Sequence, residues 1–272
     1  MPLDRVRLAE VLDAAHSYYG GPEPNHRNDD RLNVSTREFI ASNLRAEMRV
    51  LDVGCGDGST LLENCESFGT GVGVDNDERH LALAQRAKAD RGAQNVEFRL
   101  LDLGDLPSAF SDEEFDFAFS ERGPVGYDSR SVQAVLSTVR ADGLVFCEVI
   151  GDLHHQEVGE LFGARPRMNQ AISVLDQVRV AMERNGVEIR IAADIVSKRY
   201  YPTIYDWLQF QCSIWAWSGT PLPPPDDPRL ELFAQRNADA CGAIETTHHV
   251  VWVGGVKLAE PPRYAEHQPF RR

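Results

Sequence analysis

The chain has 272 residues, 42% of them hydrophobic and 26% charged, which suits one large globular domain or a domain with a cap. Its formal net charge of −14 argues against an extended nucleic-acid face, because the mean field repels phosphate backbones. The five cysteines (Cys55, Cys65, Cys147, Cys212, Cys241) are odd in number and form no C-x-x-C pair, as in a reduced, cytoplasmic protein. Met1-Pro-Leu-Asp-Arg5 lacks the apolar region of a signal peptide, and no apolar run approaches a membrane span, so a soluble protein is expected.

Leu3, Val6, Leu8, Val11, Leu12 and Ala15 recur close to helical spacing over 3–19. Tyr18-Tyr19-Gly-Gly-Pro-Glu-Pro-Asn-His26 is a glycine/proline loop, either solvated or part of a lid over a ligand. Ser35-Thr-Arg-Glu38 is a capping box opening a helix to about Leu44. Val50-Leu51-Asp52-Val53 then reads as a buried strand that breaks into Gly54, Gly56 and Gly58, and Ser59-Thr60-Leu-Leu-Glu63 starts a helix to about Phe68. Strand, glycine turn, helix is the opening of a nucleotide-binding βαβ unit. A dinucleotide loop wants G-x-G-x-x-G, whereas the spacing here is G-x-G-x-G with Asp52 two residues before the first glycine. A carboxylate at the strand tip repels a pyrophosphate and suits a ligand with an ammonium and a sulfonium group. Both details speak against an NAD dehydrogenase.

Val72-Gly-Val-Asp75 is a second strand whose terminal carboxylate can hydrogen-bond both hydroxyls of a ribose, or cap the helix that runs over 77–91. Asn95 to Leu101 is a third strand, alternating Val96, Phe98 and Leu100, with Asp102 at its tip. Glu114 to Ser120 is a fourth, with Phe115, Phe117 and Phe119 on one face, ending in Ser120-Glu-Arg-Gly-Pro124. In a doubly wound sheet ligands bind beyond the carboxyl ends of the strands. Acids at three successive tips, Asp52, Asp75 and Asp102, are the strongest pattern in the chain. A helix over 128–140, a turn and strand over 142–150, a helix from about Arg167 to Asn185 and a strand from Gly186, at most to Val196, follow. Residues 200–245 form an insertion with Tyr200, Tyr201, Trp207, Phe210, Trp215 and Trp217, a stiff Leu222-Pro-Pro-Pro connector and a helix over 229–240. Thr246 to Lys257 is a last strand, and Pro261 to Arg272 a loose tail.

The D-x-G-x-G-x-G run from Asp52 to Gly58 resembles motif I of the class I S-adenosylmethionine-dependent methyltransferases, and the resemblance spans roughly residues 35–257. It implies a Rossmann-like α/β fold: a seven-stranded mixed sheet flanked by helices, its last strand antiparallel and slipped between the fifth and sixth, plus a helical cap. The corresponding segments are an N-terminal cap (1–45), a core (46–199), a cap insertion (200–245), the final strand (246–257) and a tail (258–272). It also implies S-adenosylmethionine as cofactor and S-adenosylhomocysteine as product. Asp52, Gly54, Cys55, Gly56, Gly58, Asp75, Asn76, Asp102, Leu103 and Ser120 would hold them, with Asp75 on the ribose, Asp102 on the adenine amino group and Leu103 against its ring. The [N/D]-P-P-[Y/F] motif of adenine and amino-N methyltransferases is missing at Ser120-Glu-Arg-Gly-Pro124, which counts against nucleobase methylation.

Methyl transfer needs collinear nucleophile, methyl and sulfur, so positioning can supply most of the rate. A base is required only for an acceptor protonated at working pH. His154 and His155, after the fifth strand, are the positional candidates, with His16 and His26 as outsiders; Glu121 could hold a cationic or hydroxyl acceptor and Arg122 a carboxylate. No metal is expected: His154-His155 and His248-His249 are adjacent pairs that cannot face one site from a strand. The expected partner is a small-molecule methyl acceptor, with neither nucleic acid nor membrane and with homo-oligomerisation open. An RNA or protein methyltransferase, and a non-catalytic binder of S-adenosylmethionine or S-adenosylhomocysteine, stand as alternatives.

Overall fold

A computed structural model describes residues 3–14, 27–28, 35–110, 115–163 and 172–260. Tyr18, Tyr19, His16, His26 and the tail lie outside them. In chain order the elements are α1 (Arg5–Asp13), β1 (Arg27–Asn28), α2 (Thr36–Asn43), β2 (Arg49–Val53), α3 (Ser59–Glu63), β3 (Thr70–Asp75), α4 (Glu78–Arg91) and β4 (Val96–Leu100). There follow α5 (Leu106–Ala109), β5 (Phe115–Glu121), α6 (Ser129–Leu136), β6 (Val139–Ile150), α7 (Gln156–Phe162), α8 (Val174–Arg184), β7 (Val187–Tyr201), α9 (Ile204–Ser218), α10 (Pro228–Asn237) and β8 (Ile244–Lys257).

Packing divides the chain into two compact units, a helical unit (1–33, 152–167, 195–249) and a sheet unit (34–151, 168–194, 250–272). In the sheet unit the strand order is β7-β8-β6-β5-β2-β3-β4. β2 pairs in parallel with both β3 and β5, β3 with β4, and β5 with β6, while β8 lies antiparallel to β6. This is the expected seven-stranded mixed sheet. In the helical unit the two-residue β1 adds an eighth strand, antiparallel to Arg199–Tyr200 of β7. Helices cover the parallel strands, so both faces of β2 and β5 are apolar and Leu51, Phe115 and Ala118 are buried. The chain leaves β2 toward β3 and β4, then returns to β5 on its other side. That reversal opens a crevice at the carboxyl ends of β2 and β5.

Several boundaries differ from the sequence reading for local reasons. α3 stops at Glu63, where Asn64 takes over as C-cap and its Nδ2 bonds back to the Thr60 carbonyl at 2.8 Å. β6 begins at Val139 rather than after Asp142. The register against β5 jumps between Phe115–Val139 and Phe117–Leu144, and Asp142 absorbs the extra residues with φ of 61°. β7 runs on to Tyr201. The Ser35 capping box forms in full, and α2 packs by Phe39 against Phe146 (4.7 Å between centroids) and Trp252 (5.3 Å).

The helical unit has its own aromatic core. Trp207 of α9 is fully buried and stacks on Phe233 of α10 at 3.9 Å, with Trp215 edge-on to it at 6.2 Å. α1 is tied to α9 by the Asp4 amide donating to Tyr205 Oη at 2.9 Å and by the Arg7 guanidinium 4.2 Å over the same ring. Truncating the stacked indole leaves a large cavity, so Trp207→Ala is expected to cost about 3–5 kcal/mol; urea unfolding followed by far-UV circular dichroism measures it.

Candidate cofactor site

The glycine turn after β2 is held from beneath by β3. The Gly54 and Cys55 amides both donate to the Val74 carbonyl, at 2.8 and 3.0 Å. Gly54 and Gly58 take φ of 79° and 74°, a left-handed conformation that glycine adopts without a Cβ penalty. Space enforces the same choice: a Cβ on Gly58 would sit 2.3 Å from Phe98 Cζ, and one on Gly54 2.7 Å from Pro124 Cδ. The turn therefore fits closely between β4 on one side and the loop after β5 on the other.

Asp52 is 3% exposed at the tip of β2. Burial pushes its carboxyl well above the usual range; Glu121, Asp75 and Asp57 push the same way and Arg37 opposes them. At the tip of β3, Asp75 accepts from the Gly56 amide (Oδ2, 2.9 Å) and the Asp77 amide (Oδ1, 2.9 Å), with His80 Nδ1 3.2 Å from Oδ1. Asn76 Nδ2 donates to Asp102 Oδ1 at 3.4 Å, which joins the tips of β3 and β4. Leu103, next in line, packs half-buried against the core. Ser120 is buried and its Oγ donates to the Val53 carbonyl at 2.7 Å, stitching β5 to β2. Cys55 is buried and its thiol is pushed up, chiefly by desolvation.

Glu121, the last residue of β5, is held from three sides. Its Oε2 accepts from Thr60 Oγ1 of α3 at 2.9 Å and lies 3.7 Å from Arg37 Nε, and its Oε1 pairs with Arg122 Nη2 at 3.1 Å. Glu148 of β6 is buried, accepts from Thr36 Oγ1 and from Trp252 Nε1 (3.0 Å), and has Arg122 Nε 3.4 Å away; burial is the chief cause of its raised pKa. Thr36, Arg37, His80 and Glu148 escaped the sequence reading. Only Glu148 carried a legible signal, as a charge inside the apolar run Leu144 to Ile150.

Asp52, Gly54, Cys55, Gly56, Gly58, Asp75, Asn76, Asp102, Leu103, Ser120 and Glu121 thus gather at the carboxyl ends of β2 to β5 in the sheet unit. His154 and His155 belong to the helical unit. There the His154 ring stacks on His155 at 4.1 Å and meets His248 edge-on at 5.1 Å, and His154 Nδ1 accepts from the His249 amide at 3.2 Å. His154 and His155 lie after β6 rather than within a strand, and there their rings can stack on one side. Among the described residues no group of His, Cys, Asp and Glu has the arrangement of a metal site.

Residues 44–177 match a family model described as a methyltransferase domain. The chain therefore carries a methyltransferase domain, of the superfamily whose enzymes depend on S-adenosylmethionine. Among solved structures the chain resembles a putative methyltransferase from Bacillus halodurans (15% identity, 82% of this chain and 97% of that one, TM-score 0.59). It also resembles the YcgJ protein of Bacillus subtilis (17%, 82% and 98%, 0.57) and the [4+2]-cyclase SpnF (18%, 93% and 94%, 0.56). No curated protein matches the chain. Among the described residues no helix is long and apolar enough to cross a membrane.

The histidine pair gives this methyltransferase a pH signature. His155 is buried against Phe210, and burial lowers its pKa from 6.5 to about 3. The unfolded chain therefore takes up this proton before the folded one does. The stability it carries is complete above pH ~6.5 and falls as the pH drops toward 3, by up to about 1.4 kcal/mol per unit. His155→Gln is expected to flatten that slope in denaturant titrations between pH 7 and 4.5.

Proposed function

We propose that this methyltransferase transfers a methyl group from S-adenosylmethionine to an oxygen or nitrogen of a small-molecule acceptor. The observation that carries the cofactor reading is the buried Asp52 at the head of the glycine turn, with Glu121, Asp75 and Asp57 as acidic neighbours. Such a cluster is relieved by a cation, and the cofactor offers an ammonium and a sulfonium. The residues fit the group. In this reading Asp52 faces the ammonium, Asp75 receives the ribose hydroxyls with its carboxylate already oriented by the Gly56 and Asp77 amides, and Asp102 takes the adenine amino group beside Leu103.

When bound, the cofactor supplies an electrophilic methyl group on a positive sulfur that becomes neutral on transfer. The chain supplies placement: the amides of the glycine turn and the tips of β2 to β5 fix one reactant before the other arrives, a contribution of roughly 7–11 kcal/mol in well-oriented reactions. The net charge of −14 supports an uncharged or cationic acceptor over a nucleic acid.

The likeness to SpnF supports a second reading, in which the cofactor is bound but the chemistry differs, since the same fold there belongs to a cyclase. Transfer of labelled methyl to a panel of phenols, amines and carboxylic acids separates the two. Labelled product supports transfer, and intact cofactor across the panel supports the second reading.

Two binding outcomes follow. Asp75→Asn is expected to weaken S-adenosylmethionine by about tenfold or more in calorimetry, since hydrogen bonds to a charged group contribute roughly 1.5–3 kcal/mol; unchanged affinity removes the ribose assignment. Because Asp52 starts with a raised pKa and a bound cation lowers it, binding should release a proton. Affinity should climb with pH until Asp52 is ionised in the free protein and then level off. Calorimetry in buffers of different ionisation enthalpy counts that proton, and a count of zero across the acid range contradicts the Asp52 role.

A further inference from the structure

We propose that Arg37 is a positioning residue that sets how strongly the site prefers the positively charged cofactor over its neutral, demethylated product, by acting on Glu121. The inference rests on the cofactor reading above.

The first turn of α2 reaches three elements of the crevice at once. The Arg37 guanidinium donates from Nη1 to both oxygens of Glu63 (2.8 and 3.0 Å) and from Nη2 to Ser59 Oγ (2.9 Å), both on α3 directly behind the glycine turn. Its Nε stands 3.7 Å from Glu121 Oε2 at the tip of β5. One residue earlier, Thr36 donates to the buried Glu148 at the far end of β6. α2 is not free to carry this turn elsewhere. Ile40 is fully buried, Phe39 packs between Phe146 and Trp252, and the Ser35 capping box closes the turn itself.

The charge of Arg37 also opposes the acids around Asp52; Glu121 on β5, Asp75 on β3 and Asp57 in the glycine turn act the other way. A crevice lined by those carboxylates alone would hold a sulfonium too well. The charge on sulfur is lost as methyl leaves, so excess attraction for it stabilises the starting state more than the transition state. A guanidinium beside Glu121 offsets that attraction, its terminal nitrogens being held by Ser59 and Glu63.

The test is the ratio of dissociation constants for S-adenosylhomocysteine and S-adenosylmethionine, measured by calorimetry at one pH and ionic strength on the full chain. The ratio isolates the sulfonium charge, because the two ligands are otherwise alike. Arg37→Gln should raise it by about three- to tenfold, the scale of one partly screened charge at this range. Arg37→Lys, which keeps the charge, should stay within about twofold of wild type, and Glu121→Gln should lower the ratio. Thermal unfolding of each variant confirms the fold. A purely structural Arg37 would weaken both ligands together and leave the ratio where it was; that result, or a Glu121→Gln ratio that does not fall, overturns the proposal while the cofactor reading survives. Wild-type protein that binds neither ligand would bring down both.

Discussion

A carboxylate taken out of water at the end of a central strand, with three more acids for neighbours, is the constraint around which the sheet unit is arranged. Asp52 sits on β2, the strand flanked by β3 and β5 at the reversal of the sheet. Left to itself such a group protonates or draws in a cation. Here the surroundings hold back from neutralising it. Asp75 is occupied by two amides and His80, Glu121 by Thr60 and two arginines, and Glu148 by Thr36, Trp252 and Arg122. The compensation stops one step short of Asp52, and the attraction for an external positive group remains.

The rest of the unit serves to keep these tips in register. Parallel pairing aligns the ends of β2, β3, β4 and β5, and side-chain stitches such as Ser120 to Val53 and Asn76 to Asp102 lock neighbouring ends together. The glycine turn is confined between Phe98 and Pro124, so its amides point where β3 fixes them. The N-terminal helix α2 closes the arrangement from the other side, anchored by aromatic packing on β6 and β8. Placement of this kind is what a displacement at carbon requires, with no nucleophile drawn from the protein.

Much of this was legible in the sequence because it is local. The glycine run, the acid before it and the acids ending the next two strands are short-range patterns, and they recur at intervals that a βαβ repeat imposes. The antiparallel last strand followed from the resemblance and is present. What could not be read is long-range. Arg37 looks like an ordinary helix residue, yet its partners are 22, 26 and 84 positions away. Boundaries slipped where a single backbone choice intervened, as at Asp142 in β6 or Asn64 after α3. His155 takes φ of 52° at the start of α7, so the rings of the neighbouring His154 and His155 stack and the loop brings His154 against His248, contacts that a reading of local spacing does not reach.

The most direct measurement of the central claim is a crystal structure of the chain grown with S-adenosylhomocysteine. The amino acid end of that molecule is expected with its ammonium facing Asp52, its ribose hydroxyls on Asp75 and its adenine edge at Asp102. A crevice that stays empty at saturating ligand, or that holds a phosphate-bearing nucleotide across the glycine turn, would contradict it.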